Sequence, residues 1–406
     1  MKKKLFLLII TIIITITKSK NFPSKNFLNY KTIINNYGYS FEEYEITTKD
    51  GYILNLWRIP GKLNSNSKNK KNKFFKFKNN EKKVILLQHG LLDDSWTWFA
   101  LKNNSLPFIL SNKNYDVFIS NIRGNLFSFK HKNSSYDSSD LNNKKYWNFS
   151  FSEMAEIDLP CIIENIKKIS KVNQIYYIGH SQGSLIFFLQ YMTNPNFLEN
   201  NIKKFIAVGT VPNVNNALSI FVKIFANTGL LNYFPFENVF KYEKLGEILY
   251  YLCKNKENLC WDLIKYCFDY RNTKRINGKN LVENILIFEP GGTSKKNLLH
   301  WMQVYLSKKM MKFDYGKIEN IKIYGQENPP IYNLDNLYNW NIKSLLFTSD
   351  SDPFSNPIDV KETVDKIKNK NLIQIPFMEN YNHVDFLWSN DAIFDIYPKI
   401  IKFLEE

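Results

Sequence analysis

Arginine is nearly absent from this basic chain. Its 406 residues carry 54 Lys and Arg against 38 Asp and Glu, a formal charge of +16, yet only Arg58, Arg123, Arg271 and Arg275 are arginine. Base and phosphate readout leans on the planar guanidinium fork. The lysines are instead scattered among asparagines, with no stripe or nucleic-acid motif, so we expect no nucleic-acid partner. Cysteine is equally scarce. Cys161, Cys253, Cys260 and Cys267 are too few for a disulfide-built scaffold, and none forms a C-x-x-C pair, which excludes zinc ribbons and thioredoxin-type redox chemistry. The last three lie close together and allow one disulfide and one free thiol. Long apolar runs are missing except near the start, where Lys2, Lys3 and Lys4 precede the stretch Leu5 to Thr17. That stretch is short for a membrane span, which needs ~20 residues, and suits the core of a signal peptide, with Ser19 near the cleavage point. We read residues 1–19 as a signal peptide, with an uncleaved anchor as the alternative, and expect no transmembrane span after cleavage. Acceptor triplets at Asn103, Asn133 and Asn148 fit a chain of the secretory pathway.

Apolar residues are plentiful at 44%, with aromatics at 16%, enough to fill a sizeable core. Tyr44 to Ile59 alternates around Asp50-Gly51 and reads as a hairpin. Lys62 to Lys83 is Lys/Asn-rich and reads as a solvated loop. Unbroken apolar runs at 84–88, 115–120, 175–178, 205–208, 344–348 and 372–375 read as strands buried on both faces. Helical spacing marks Glu153 to Ile169, a helix following Gly179 to about Met192, and a closing helix over 392–404. Strands alternating with helices predict an α/β fold, a mostly parallel sheet covered on both faces. The rhythm fails between 211 and 335, which reads as a mainly helical cap inserted between core parts 20–210 and 336–406.

With only 15 glycines in the chain, the pentapeptide Gly179-His180-Ser181-Gln182-Gly183 is informative. It matches G-x-S-x-G, and it stands between a buried strand and an amphipathic helix, where the motif acts as a nucleophile elbow. The sharp turn strains the serine backbone, so the residues two positions either side must lack bulk. A serine hydroxyl needs a base to take its proton. In this arrangement the order is serine, acid, histidine, which leaves His300 and His383. His383 lies in a polar loop after the last strand, on the edge that carries Ser181, and is our base. His300 sits among apolar neighbours and reads as packing or a wall of the substrate site. The acid follows the fifth strand, where Asp350 and Asp352 both qualify and spacing does not choose. For the oxyanion, the amide of Gln182 and one from His89-Gly90-Leu91-Leu92 are the candidates. His89 itself reads as a buried, hydrogen-bonded histidine.

These residues resemble the acid lipase family, the gastric and lysosomal acid lipase type of the α/β-hydrolase fold. The resemblance runs from about Tyr37 to Phe403, through Gln88-His89-Gly90-Leu91-Leu92, Asn121-Ile122-Arg123-Gly124-Asn125, Phe149 to Ala155, the serine pentapeptide, His300-Trp301 and Asn382 to Trp388. It implies hydrolysis of neutral-lipid esters at a lipid–water interface, with Ser181 as nucleophile and His383 as base. Aligning Asp359-Val360 with the family's Asp-Val implies Asp352 as the acid, and Leu91 with Gln182 as the oxyanion donors. It further implies no cofactor or metal, a Cys253–Cys260 bridge with Cys267 free, and a secreted or lysosomal location. Where the family has Gly-Gly before the acid, this chain has Ser349-Asp350, a second carboxylate beside the first. A carboxylesterase for short soluble esters and a non-catalytic lipid-binding relative are the alternative functions. The apolar segment Ala217 to Phe240 either lines an acyl pocket, meets the lipid surface, or is ordinary cap core.

Overall fold

The computed structural model describes residues 29–63, 82–239, 275–276, 284–286 and 288–406. The signal peptide, most of the Lys/Asn-rich stretch and Cys253, Cys260 and Cys267 lie outside these residues, while Cys161 carries a free thiol. The expected hairpin is β1 (Glu42–Thr47) and β2 (Tyr52–Ile59), paired antiparallel with Glu42 opposite Arg58. Gly51 turns it at φ +98°, a conformation that side chains disfavour. Then come β3 (Lys83–Gln88), β4 (Tyr115–Ser120), β5 (Lys130–His131), β6 (Ile175–His180) and β7 (Ile202–Val208). After β8 (Asn238–Val239) and β9 (Thr293–Ser294), which pair only with each other, β10 (Lys343–Leu346) and β11 (Ile373–Gln374) return to the main sheet. Its order is β1-β2-β4-β3-β6-β7-β10-β11, with β5 against β2. From β4 to β11 every neighbour is parallel.

The parallel strands read as unbroken apolar runs because each face has its own helical cover. Leu86, Phe118, Tyr177 and Phe205 meet the helices Leu159–Ser170 and Gln182–Thr193 on one side. Ile85, Val117, Ile178 and Ile206 meet Phe108, Ile400 and Leu404 from the helices Leu106–Asn112 and Tyr397–Glu405 on the other. One predicted helix widens and another divides where a proline removes an amide donor. Glu153 to Ile169 passes through a wide turn at Met154–Asp158 before the α-helix Leu159–Ser170, whose second residue is Pro160. The closing helix divides at Ile396 into Ala392–Asp395 and Tyr397–Glu405, with Pro398 in the first turn of the second piece. Between β7 and β10 the described residues form the helices Ile220–Thr228, Lys295–Ser307 and Lys317–Tyr324, the first packed on the second.

A buried cation ties the hairpin to the helical layer. Arg123, 1% exposed, reaches Asp50 in the hairpin turn at 2.6 Å and the fully buried Asp158 at 2.6 Å. Its guanidinium also lies 4.0 Å from the Tyr52 ring centroid. Gly124 beside it has φ +81°, and a Cβ there would fall 2.3 Å from the Phe149 ring. This packing accounts for the Arg-Gly pair.

Candidate active site

β6 ends in a turn that only small neighbours permit. Ser181 has φ +52° and ψ −117°, and the helix Gln182–Thr193 starts directly after it. A Cβ on Gly179 would stand 2.6 Å from the Gly183 carbonyl carbon, and one on Gly183 would stand 2.5 Å from the Gln88 carbonyl oxygen. Both glycines are therefore required by close backbone approach. The elbow is pinned by Ser181 N–H donating to the Val208 carbonyl at 3.2 Å and by Ser184 Oγ donating to the Ser181 carbonyl at 2.6 Å. As the first residue of the helix, Gln182 offers an N–H with no acceptor one turn earlier.

The other expected residues converge on this turn. His383 Nε2 lies 2.7 Å from Ser181 Oγ, and His383 Nδ1 lies 2.7 Å from Asp352 Oδ2. All three are buried, with Ser181 7% and His383 6% exposed. The second oxygen of Asp352 accepts the N–H groups of Phe354 and Ser355 at 2.9 Å each. Asp350 is turned away and exposed. Its Oδ1 accepts Asn380 N–H at 2.9 Å, while the neighbouring Ser349 Oγ accepts Tyr381 N–H at 3.1 Å. Although slight burial works against it, the Asn380 amide and the Ser349 and Ser351 hydroxyls hold the Asp350 carboxyl below its ordinary value. Ser349-Asp350 thus braces the loop that carries His383.

His89 and His300 stay out of the chemistry, each for a visible reason. His89 donates from Nδ1 to the Gly90 carbonyl at 2.9 Å and accepts Ile122 N–H and the Asn125 amide at Nε2. His300 bonds Ser150 Oγ and the Met311 carbonyl and stacks on Phe151 at 3.9 Å. Burial pushes His300 down to about 3, so it is neutral packing. Leu91 is half-buried after Gly90 at the end of β3, and the next residue, Leu92, adopts φ +61°.

Several site neighbours carry no local signal in the sequence. The Gln182 carboxamide oxygen accepts from Asn297 Nδ2 and Trp301 Nε1, both at 2.9 Å, from the helix Lys295–Ser307. Under the Gly90 loop, three buried carboxyls gather. Burial first, and then the neighbouring Asp93, push Glu289 and Asp94 well above their ordinary values. Asp93 is the charged member; against the cost of burial, a hydrogen bond from Glu289 and the His180 imidazole 3.8 Å away hold it down to about 2. Among the described residues, no group of three or more His, Cys, Asp or Glu is disposed to hold a metal ion. No described helix is long and apolar enough to cross a membrane.

Sheet order, elbow and the serine–histidine–aspartate contacts together are those of an α/β hydrolase. The family model for the α/β hydrolase fold matches residues 83–389, and that for the partial α/β-hydrolase lipase region matches residues 30–102. Gastric triacylglycerol lipase from Homo sapiens is 35% identical over 400 residues, covering 93% of this chain and 91% of the relative. The Bos taurus enzyme is 34% identical over 396 residues, with the same coverage. Lipase member J from Homo sapiens is 32% identical over 391 residues, 93% of this chain and all of the relative. Among solved structures, a lipase candidate from Acinetobacter baumannii AYE superposes with a TM-score of 0.51 at 15% identity, over 95% of this chain and 99% of the other, a likeness of fold alone. The chain belongs to the gastric-lipase family of α/β hydrolases.

Proposed function

We propose that the protein is a serine hydrolase of neutral-lipid esters, triacylglycerols or steryl esters, with Ser181 as nucleophile, His383 as base and Asp352 as the acid that orients it. The observation that carries this reading is the continuous chain of two 2.7 Å contacts from Ser181 Oγ through His383 to Asp352. Ser181 Oγ attacks the ester carbonyl carbon as His383 Nε2 takes its proton. Asp352 stabilises the resulting imidazolium and keeps the tautomer whose Nε2 is free to accept. The negative oxygen of the tetrahedral intermediate is received by the amides of Leu91 and Gln182, and the helix start at Gln182 favours that charge. His383 returns the proton to the departing alcohol. Water, deprotonated by the same imidazole, then releases the fatty acid. Every step uses side chains and amides of this chain, and no cofactor or metal enters.

The substrate class follows from relatives named as triacylglycerol lipases. We assign residues 211–335 as a cap over the site, consistent with Asn297 and Trp301 reaching the residue after the nucleophile. The segment Ala217 to Phe240 contributes Phe225 and Leu231 to the core while leaving Tyr233 83% exposed, which suits a surface that meets lipid. A secretory-pathway chain ending outside the cell or in an acidic vesicle fits an enzyme working on bulk lipid. The test is fatty-acid release from triolein and cholesteryl oleate emulsions at acidic and neutral pH, beside a dissolved p-nitrophenyl ester and with Ser181→Ala as control. Activity on an emulsion that Ser181→Ala abolishes is expected. Activity confined to the dissolved ester would replace the lipase reading with a carboxylesterase, and none on any ester would sink it.

A further inference from the structure

The buried imidazole one residue before the nucleophile lies outside the proton path from Ser181 to Asp352. His180 is 4% exposed, and its Nε2–H donates to the backbone carbonyl of His383 at 3.1 Å. The two rings lie 5.1 Å apart. His180 Nδ1 makes no hydrogen bond among the described residues and faces Asp93 Oδ2 at 3.8 Å. The ring's one directional bond is therefore the one to the His383 backbone. Its other edge packs on the oxyanion loop. A Cβ built on Gly90 would stand 3.1 Å from His180 Nδ1, and Asp93 Oδ2 accepts Gly90 N–H at 3.2 Å. Glu289 braces the far side of the loop, accepting Gly291 N–H at 3.1 Å, while Gly291 N–H also donates to the Leu92 carbonyl at 2.7 Å.

We propose that His180 is a positioning residue that sets the His383 loop against the Gly90–Asp93 loop, so that base and oxyanion donors keep a common distance from Ser181. The inference rests on the Ser181–His383 reading above. Asp352 fixes the His383 ring through Nδ1, and His180 fixes the backbone that carries it. Asp350 and Ser349 hold the loop just before His383 by accepting the Asn380 and Tyr381 N–H groups, whereas His180 acts at the His383 carbonyl itself. A displacement of about 1 Å in a reacting group costs up to ~100-fold in rate.

The test compares His180→Phe, which keeps a ring and removes the donor, with His180→Gln, whose amide nitrogen reaches the place of Nε2. His180→Asn, too short to reach it, serves as a second donor-less variant should the phenylalanine fail to fold. Acylation of a dissolved p-nitrophenyl ester is measured per site titrated with a fluorophosphonate, beside thermal melts. In His180→Phe and His180→Asn the expected fall in kcat is about 10- to 100-fold at nearly unchanged KM, with His180→Gln recovering to within about threefold of wild type. Wild-type kcat per titrated site in the donor-less variants would overturn the proposal. So would a loss confined to KM, or a glutamine variant as damaged as the others. Labelling or hydrolysis that survives Ser181→Ala would instead overturn the nucleophile assignment, whatever the His180 variants do.

Discussion

Two carboxylates two residues apart follow β10, and replacing each by its amide should separate their roles by several orders of magnitude. In Asp352→Asn the amide oxygen must take the Oδ1 position, because the N–H groups of Phe354 and Ser355 both donate there at 2.9 Å. The amide nitrogen then faces His383 Nδ1 at the 2.7 Å contact. Two donors cannot share that contact, so Nδ1 becomes the acceptor and the ring proton moves to Nε2, where it points at Ser181 Oγ. The base site is then occupied by a proton while the fold keeps its hydrogen bonds. A wrong tautomer of this kind costs about 10,000-fold in a serine protease triad. That is ~5.4 kcal/mol of transition-state stabilisation at 1.36 kcal/mol per decade. Asp350→Asn keeps an acceptor for Asn380 N–H and should cost at most about 1 kcal/mol of stability, with acylation within about threefold of wild type. Stopped-flow acylation with a p-nitrophenyl ester, normalised to titrated sites and accompanied by melts, checks both. A deep loss in Asp350→Asn, or acylation by Asp352→Asn within tenfold of wild type, would refute the argument.

Two further variants test the buried charges. Arg123→Leu leaves Asp158 buried without its partner and should cost about 3–5 kcal/mol at neutral pH by denaturant titration. Burial already holds Asp158 above its ordinary value. Protonation therefore relieves the variant as pH falls, and a deficit that does not shrink toward pH 5 contradicts this. Glu289→Gln probes a carboxyl that burial first, and Asp93 and Asp94 next, hold well above 4.5. A raised folded value means wild type gives up stability as pH rises above 4.5, whereas the amide gives up none. The unfolding free energy of the variant relative to wild type, from denaturant titration, should be about level at pH 4 and climb toward pH 7, by at most ~1.4 kcal/mol per pH unit. A pH-independent difference contradicts the buried-proton account.

Much of the fold is legible in the chain because the relevant forces are local. Strands covered on both faces must be apolar throughout, so β3, β4, β6 and β7 announce themselves as unbroken runs. The Ser181 turn is legible because steric need for glycine at 179 and 183 is written within five residues. The wide turn before Pro160 and the division before Pro398 go unread for the opposite reason. Apolar spacing continues across both prolines and masks the missing donors.

What the sequence suggested by itself is most of the elements and the candidate residues at their ends: Ser181, His383, and the pair Asp350 and Asp352, between which spacing does not choose and only the family resemblance favours Asp352. Tertiary structure decided the rest. The side-by-side order β3-β6-β7-β10 brings four loops to one edge, and only there does Asp352 turn inward while Asp350 turns to the Asn380 backbone. His180 meeting the His383 carbonyl, Asp93 meeting Glu289, and Asn297 with Trp301 meeting Gln182 join residues a hundred or more positions apart. Such pairs leave no trace in local periodicity, because hydrogen bonding depends on where a side chain arrives and not on what precedes it along the chain.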